Sequence, residues 1–87
     1  MESFACSCCG YKTLDELGSY IICPICFWED DPSQSDNPDL SGANRVSLKD
    51  AQKNYIEFQV CELEMKRFVR APKAEESRDT NWNFLKD

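Results

Sequence analysis

The sequence predicts a small α+β fold built on a metal-binding hairpin, and three observations carry that expectation. Two C-x-x-C pairs, Cys6/Cys9 and Cys23/Cys26, stand near the start of the chain with thirteen residues between them. A stretch rich in Asp, Pro, Ser and Asn follows from Glu29 to Asn44. Apolar residues at helical spacing then begin at Leu48. Together they predict one domain over residues 1–87: a zinc ribbon over 1–31, an acidic loop over 32–46, one long amphipathic helix over 47–71, and a C-terminal tail over 72–87 packed back on the rest.

The ribbon comes first. A C-x-x-C turn points both sulfurs at one ion, and Gly10 stands where such a turn needs positive φ. Pro24 presets φ at the start of the second turn. Two such turns make the tetrahedral four-sulfur cage that zinc prefers, with Zn–S near about 2.3 Å. The expected ligands of one structural Zn²⁺ are Cys6, Cys9, Cys23 and Cys26. A four-cysteine iron site shares this geometry. Six cysteines in a chain of 87 residues also fit a disulfide framework. Met1–Ala5 has neither a basic n-region nor an apolar run, so a cytoplasmic address is expected, and that favours metal over disulfides. Tyr11–Leu14 reads as a strand, Asp15–Ser19 as a turn and Tyr20–Ile22 as the returning strand. Phe27 and Trp28 are expected to cover the metal and dock the ribbon on the remainder.

Pro32 and Pro38 lead us to expect no regular structure in the acidic loop. Its carboxylates raise the idea of calcium, but an EF-hand loop begun at Asp31 would need Gly where Asp36 stands and Glu where Gly42 stands. A solvated loop is the expectation.

The helix is expected to open at Ser47, in a capping pattern with Asp50, and to stop before Pro72. Leu48, Ala51, Tyr55, Phe58, Cys61, Met65 and Phe68 form one apolar stripe, with Val69 beside it. Ile56, Val60 and Leu63 fall on the opposite side and need a cover, either the tail or a second copy of the chain in a homodimer. In the tail, Trp82, Phe84 and Leu85 argue for docking over fraying. Cys61 reads as a small core hydrophobe. Cys8, inside the first knuckle, is expected to point outward, with ligand exchange or thiol reactivity as the alternatives.

The net charge of −6 is uneven: residues 1–44 carry eight acids against Lys12 alone, and residues 45–87 carry eight against nine bases. Such a surface repels phosphate backbones and steers basic partners. Lys49, Lys53 and Arg67 share a helix flank, but Glu57, Glu62 and Glu64 dilute it, so nucleic acid is not the expected partner. The chain has no His, the commonest general base, and no nucleophile–base pattern, so no enzyme is expected. No apolar run approaches the ~20 residues of a membrane span. A protein partner is expected, met by Glu29, Asp30, Asp31, Asp36 and Asp39.

The first knuckle Cys6-Ser7-Cys8-Cys9-Gly10, the run Cys23-Pro24-Ile25-Cys26-Phe27-Trp28-Glu29-Asp30-Asp31 and the helix start Gly42-Ala43-Asn44-Arg45-Val46-Ser47-Leu48 resemble the bacterial cysteine-rich CPCC family. Its pattern is C-P-C-C-G, then C-P-x-C-F-W-E-D-D, then G-x-N-x-V-S-L leading into a helix. The likeness covers residues 6 to about 60, and Ser7 stands where the family has Pro. The resemblance implies a small zinc-binding module. The family's frequent toxin–immunity gene neighbourhoods imply an immunity protein that occludes a toxin, here expected to be a basic one.

Overall fold

The computed structural model describes residues 3–85. Its elements in chain order are β1 (Phe4–Ala5), β2 (Lys12–Leu14), α1 (Pro32–Asp36), α2 (Leu48–Phe58) and a 3-10 helix (Leu63–Phe68).

The strands do not pair as the sequence predicts. β2 pairs antiparallel with β1, Phe4 opposite Leu14 and Ala5 opposite Lys12 with a bulge between, so the first knuckle is itself the hairpin turn. Tyr20–Ile22 instead meets the chain leaving the second knuckle. Tyr20 N–H donates to Asp30 O at 3.2 Å, Asp30 N–H to Ile21 O at 3.0 Å, and Ile22 bridges Glu29. Each C-x-x-C turn is tight enough to reverse the chain, so each closes its own local hairpin and residues 15–19 become a connection between the two.

The loop expected over 32–46 is also more ordered than predicted. Pro32 sits in the first turn of α1, where a missing N–H costs nothing and its fixed φ suits the helix. Asp31 caps that helix, accepting from Ser33 N–H at 2.8 Å. Beneath it, Gln34 is fully buried and its amide donates to Leu40 O and Val46 O, both at 2.9 Å. Its oxygen accepts from Asn44 N–H and Asn44 Nδ2. Asn44 in turn clasps the Glu29 backbone, accepting from its N–H at 2.9 Å and donating to its carbonyl at 2.8 Å. A polar segment is thereby packed with its buried groups paired, the condition under which they can be buried at all.

Ser47 caps α2 as expected, its hydroxyl accepting from Asp50 N–H at 3.1 Å. The single long helix does not form. It stops at Phe58, and Gln59 takes a left-handed conformation with φ 64°. The reason lies in the next two residues. Val60 is fully buried and Cys61 nearly so, and Cys61 N–H donates to Cys26 O at 2.8 Å. A continued helix would hold Val60 on the face of Ile56 and Leu63, away from the core. Breaking at Gln59 turns it inward, and Lys66 Nζ takes up the freed Phe58 carbonyl at 2.6 Å. The proposed dimer face is therefore dismantled: Val60 is in the core while Ile56 and Leu63 remain exposed.

The tail packs back through residue 85. Lys12 N–H donates to Ser77 O and Asp79 N–H to Gly10 O, both at 2.9 Å, which lays the tail along the first knuckle. Leu85 N–H reaches Gln52 Oε1 on α2 at 2.6 Å. The core that results contains Leu14, Ile25, Trp28, Leu48, Ala51 and Tyr55 gathered around the cysteines.

Candidate metal centre

The two knuckles repeat one backbone device. In the first, Gly10 N–H donates to Cys6 O at 2.8 Å and Cys6 N–H to Tyr11 O at 2.9 Å. In the second, Phe27 N–H donates to Cys23 O at 2.8 Å and Cys23 N–H to Trp28 O at 2.9 Å. The residue after each second cysteine is left-handed, Gly10 at φ 81° and Phe27 at φ 70°. Phe27 accepts a conformation that disfavours a side chain, and its ring stacks on Phe68 with centroids 5.5 Å apart. Laying one knuckle over the other in sequence exposes this correspondence, which a search for glycines alone misses.

These turns bring the Sγ atoms of Cys6, Cys9, Cys23 and Cys26 within 4.8 Å of one another, all buried. Cys6 and Cys26 lie 3.5 Å apart and Cys9 and Cys23 3.8 Å apart. Four sulfurs at about 2.3 Å from a tetrahedral ion stand about 3.8 Å from each other, so the spacing fits such an ion. All six cysteines are free thiols, against the disulfide framework. Thr13, which the sequence did not single out, donates its hydroxyl to Cys23 Sγ at 3.2 Å from β2. Burial pushes the Cys6 and Cys26 thiols well up, whereas hydrogen bonds from Cys26, Cys6 and Cys9 hold Cys23 down. A divalent cation at the centre of the cluster favours the thiolate form of each cysteine that it touches.

The family model for cysteine-rich CPCC proteins matches residues 4–76. The chain belongs to the cysteine-rich CPCC family. Comparison with curated proteins gives no match.

The CPCC motifs acquire physical meaning in this geometry. Ser7, in place of the motif's Pro, has its hydroxyl 3.1 Å from that of Ser35 and so ties the first knuckle to α1. Its carbonyl accepts from Gln52 Nε2 at 2.8 Å and Trp82 Nε1 at 3.1 Å, joining knuckle, helix and tail at one atom. Cys8 is fully buried rather than pointing outward, and burial pushes its thiol up.

The expected acidic contact set divides. Asp30 and Asp31 are buried and used internally, so they leave the surface. Asp30 accepts from Gly18 N–H at 2.7 Å, and Asp31 accepts from Ala43 N–H at 2.9 Å and from Ser33. Those bonds, that from Ala43 foremost, hold the Asp31 carboxyl below the usual range. Glu29 is half-buried, and Asp36 and Asp39 are exposed. Among the described residues, no helix is long and apolar enough to cross a membrane.

Proposed function

We propose that the CPCC cysteines Cys6, Cys9, Cys23 and Cys26 hold one structural Zn²⁺, and that the chain is a non-catalytic protein-binding module. One observation carries the reading: four buried sulfurs at the mutual spacing of a tetrahedral thiolate ion. Four protein thiolates leave no coordination position for substrate or water, so the ion acts on the fold alone. Metal analysis of the purified protein checks this, with one zinc per chain expected and the metal lost in Cys23→Ser. Such an ion contributes about 10–16 kcal/mol at neutral pH, more than a domain of this size holds in total, so chelation unfolds the chain. A protein that carries iron, or that keeps its circular dichroism after chelation, overturns the assignment.

The partner reading narrows to the acids left at the surface. Leu17 is 57% exposed beside a cavity of about 260 Å³ that Pro32 and Asp36 also line, with Asp15 and Glu16 exposed next to it. An apolar centre with a charged rim is a common form of protein contact. A basic toxin neutralised by occlusion is the partner we favour, on this charge and on the family's gene neighbourhoods. Charge reversal at Asp36 and Asp39 slows association and flattens its salt dependence; an unchanged on-rate places the contact elsewhere.

A further inference from the structure

Four thiolates around a divalent ion leave the cage with a net charge of about −2. All four sulfurs are buried, so water does little to solvate that charge. A buried charge is costly unless hydrogen bonds meet it, and such bonds are stronger than those between neutral groups. The chain as a whole adds to the difficulty, with a net charge of −6. Thr13 meets the charge directly. Its hydroxyl donates to Cys23 Sγ at 3.2 Å.

The fold builds this contact from both ends. Thr13 is the middle residue of β2, half-buried between exposed Lys12 and buried Leu14. Lys12 N–H donates to Ser77 O at 2.9 Å, and Leu14 stands opposite Phe4 in the sheet. The strand is therefore held on either side of Thr13, and branching at Cβ leaves its side chain few rotamers. The Cys23 backbone is equally committed. Its N–H donates to Trp28 O at 2.9 Å and its carbonyl accepts from Phe27 N–H at 2.8 Å. The contact also crosses between the two hairpins: Thr13 belongs to that of the first knuckle and Cys23 to that of the second. It runs beside the 3.8 Å approach of Cys9 to Cys23, which makes the same crossing.

We infer that Thr13 is a positioning residue of the metal centre, whose hydroxyl fixes the Cys23 sulfur and takes up part of its negative charge in the loaded cage. This role rests on the four-sulfur ion proposed above, and it falls to a side chain that the C-x-x-C pattern does not mark.

Two measurements test it: Zn²⁺ affinity by competition with a chromophoric chelator, and the sulfur-to-metal charge-transfer band of the Co²⁺-loaded protein. Thr13→Val keeps the branched shape and the strand preference and removes the hydroxyl. It is expected to weaken Zn²⁺ binding about 10-fold, the lower end of what outer-shell partners of metal ligands contribute. Its Co²⁺ band is expected at longer wavelength, because a sulfur that loses a hydrogen bond gives electron density to the ion more readily. Thr13→Ser, which restores the donor, should return both affinity and band to the parent values. Thr13→Ala supplies the same reading as Thr13→Val should the valine pack poorly. Unchanged affinity, a band that does not move, or a serine variant that matches the valine one overturns the role of Thr13, while a parent chain that loads normally keeps the metal reading. A parent chain that takes up neither ion overturns both.

Discussion

Replacing Gly42 with Ala is the sharpest test of the claim that the acidic segment is a packed structure and not a solvated loop. A Cβ at Gly42 would lie 2.5 Å from Asp31 Oδ2, with Gln34 Cγ at 3.0 Å and Cδ at 3.2 Å. Ordinary contact begins at 3.4 Å, so the carboxylate oxygen must retreat by about 0.9 Å (3.4 less 2.5). It cannot do so freely. That oxygen accepts from Ala43 N–H at 2.9 Å, and its partner Oδ1 is held by Ser33 N–H and hydroxyl at 2.8 and 2.7 Å. Gln34, bonded to Leu40, Val46 and Asn44, blocks the other direction.

Over-packing of this kind costs about 1–3 kcal/mol, and a hydrogen bond to a charged group is worth about 1.5–3 kcal/mol. The stiffer unfolded chain returns about 0.4–1 kcal/mol. The expected net loss is about 2–4 kcal/mol, or on the order of 10–25 °C in Tm for a chain of this length. Thermal unfolding with zinc held at one fixed excess measures it, since bound metal shifts the midpoint by mass action. The origin is separated by a double-mutant cycle with Asp31→Ala, in which Gly42→Ala should cost far less, with a coupling of about 1–3 kcal/mol. A solvated loop gives a different answer: Gly42→Ala within about 0.5 kcal/mol of the parent and additive with Asp31→Ala. That result refutes the packed segment.

Three further outcomes are expected. Alkylation of the folded, metal-loaded protein at neutral pH leaves both Cys8 and Cys61 unmodified, because both are buried and burial pushes the Cys61 thiol up to about 12; rapid labelling of either by mass spectrometry contradicts their placement. On acidification, Asp31 and Glu76 have depressed values, the latter about 2 through its bond to Arg70. Their contribution is complete above the unfolded carboxylate range near about 4 and is lost as pH falls through the folded values. Asp31→Asn should therefore flatten the upper part of the acid unfolding curve, and an unchanged curve counts against its role. Finally, Gln59→Gly relieves a left-handed side chain and should raise stability by about 0.5–1 kcal/mol in denaturant melts. A loss of that size instead would mean that the helix does not end there.

What the sequence revealed follows from how locally each feature is encoded. The clustering of four sulfurs, the Ser47 cap and the packing of the tail's aromatics are written in short local patterns, and they stand in the structure. Gly10 was legible as a positive-φ turn, but its closeness to Trp82, whose ring would meet a Cβ at 2.3 Å, depends on a residue far along the chain. The errors have a common source. Helical periodicity continued through Gln59 to Phe68, and local propensity could not register that Val60 and Cys61 were needed beside Cys26. Charge in Glu29-Asp30-Asp31 read as solvated because backbone donors such as Gly18 N–H and Ala43 N–H carry no signature in sequence. Thr13 and Tyr55 were placed correctly as strand and stripe residues, yet nothing local tells a side chain which atom it will face.

The same reasoning explains why a closed metal site can matter for surfaces that it does not touch. Arg78 is positioned by the Cys9 carbonyl and Trp82 by the Ser7 carbonyl, both inside the first knuckle. Cys61, which ends the excursion that breaks the helix, is pinned by the Cys26 carbonyl in the second. The 3-10 helix bearing Lys66 begins where that excursion ends, and Arg70 N–H returns to Pro24 O at 3.2 Å. The knuckle backbone therefore orients both the 3-10 helix and the tail. Backbone carbonyls in turns this tight hold their directions only while the sulfurs are fixed, because short hairpins of two or three residues are not stable alone. An ion in the cage would thus do for this chain what a larger apolar core does for others: it would fix where the helix must stop and where the tail must lie.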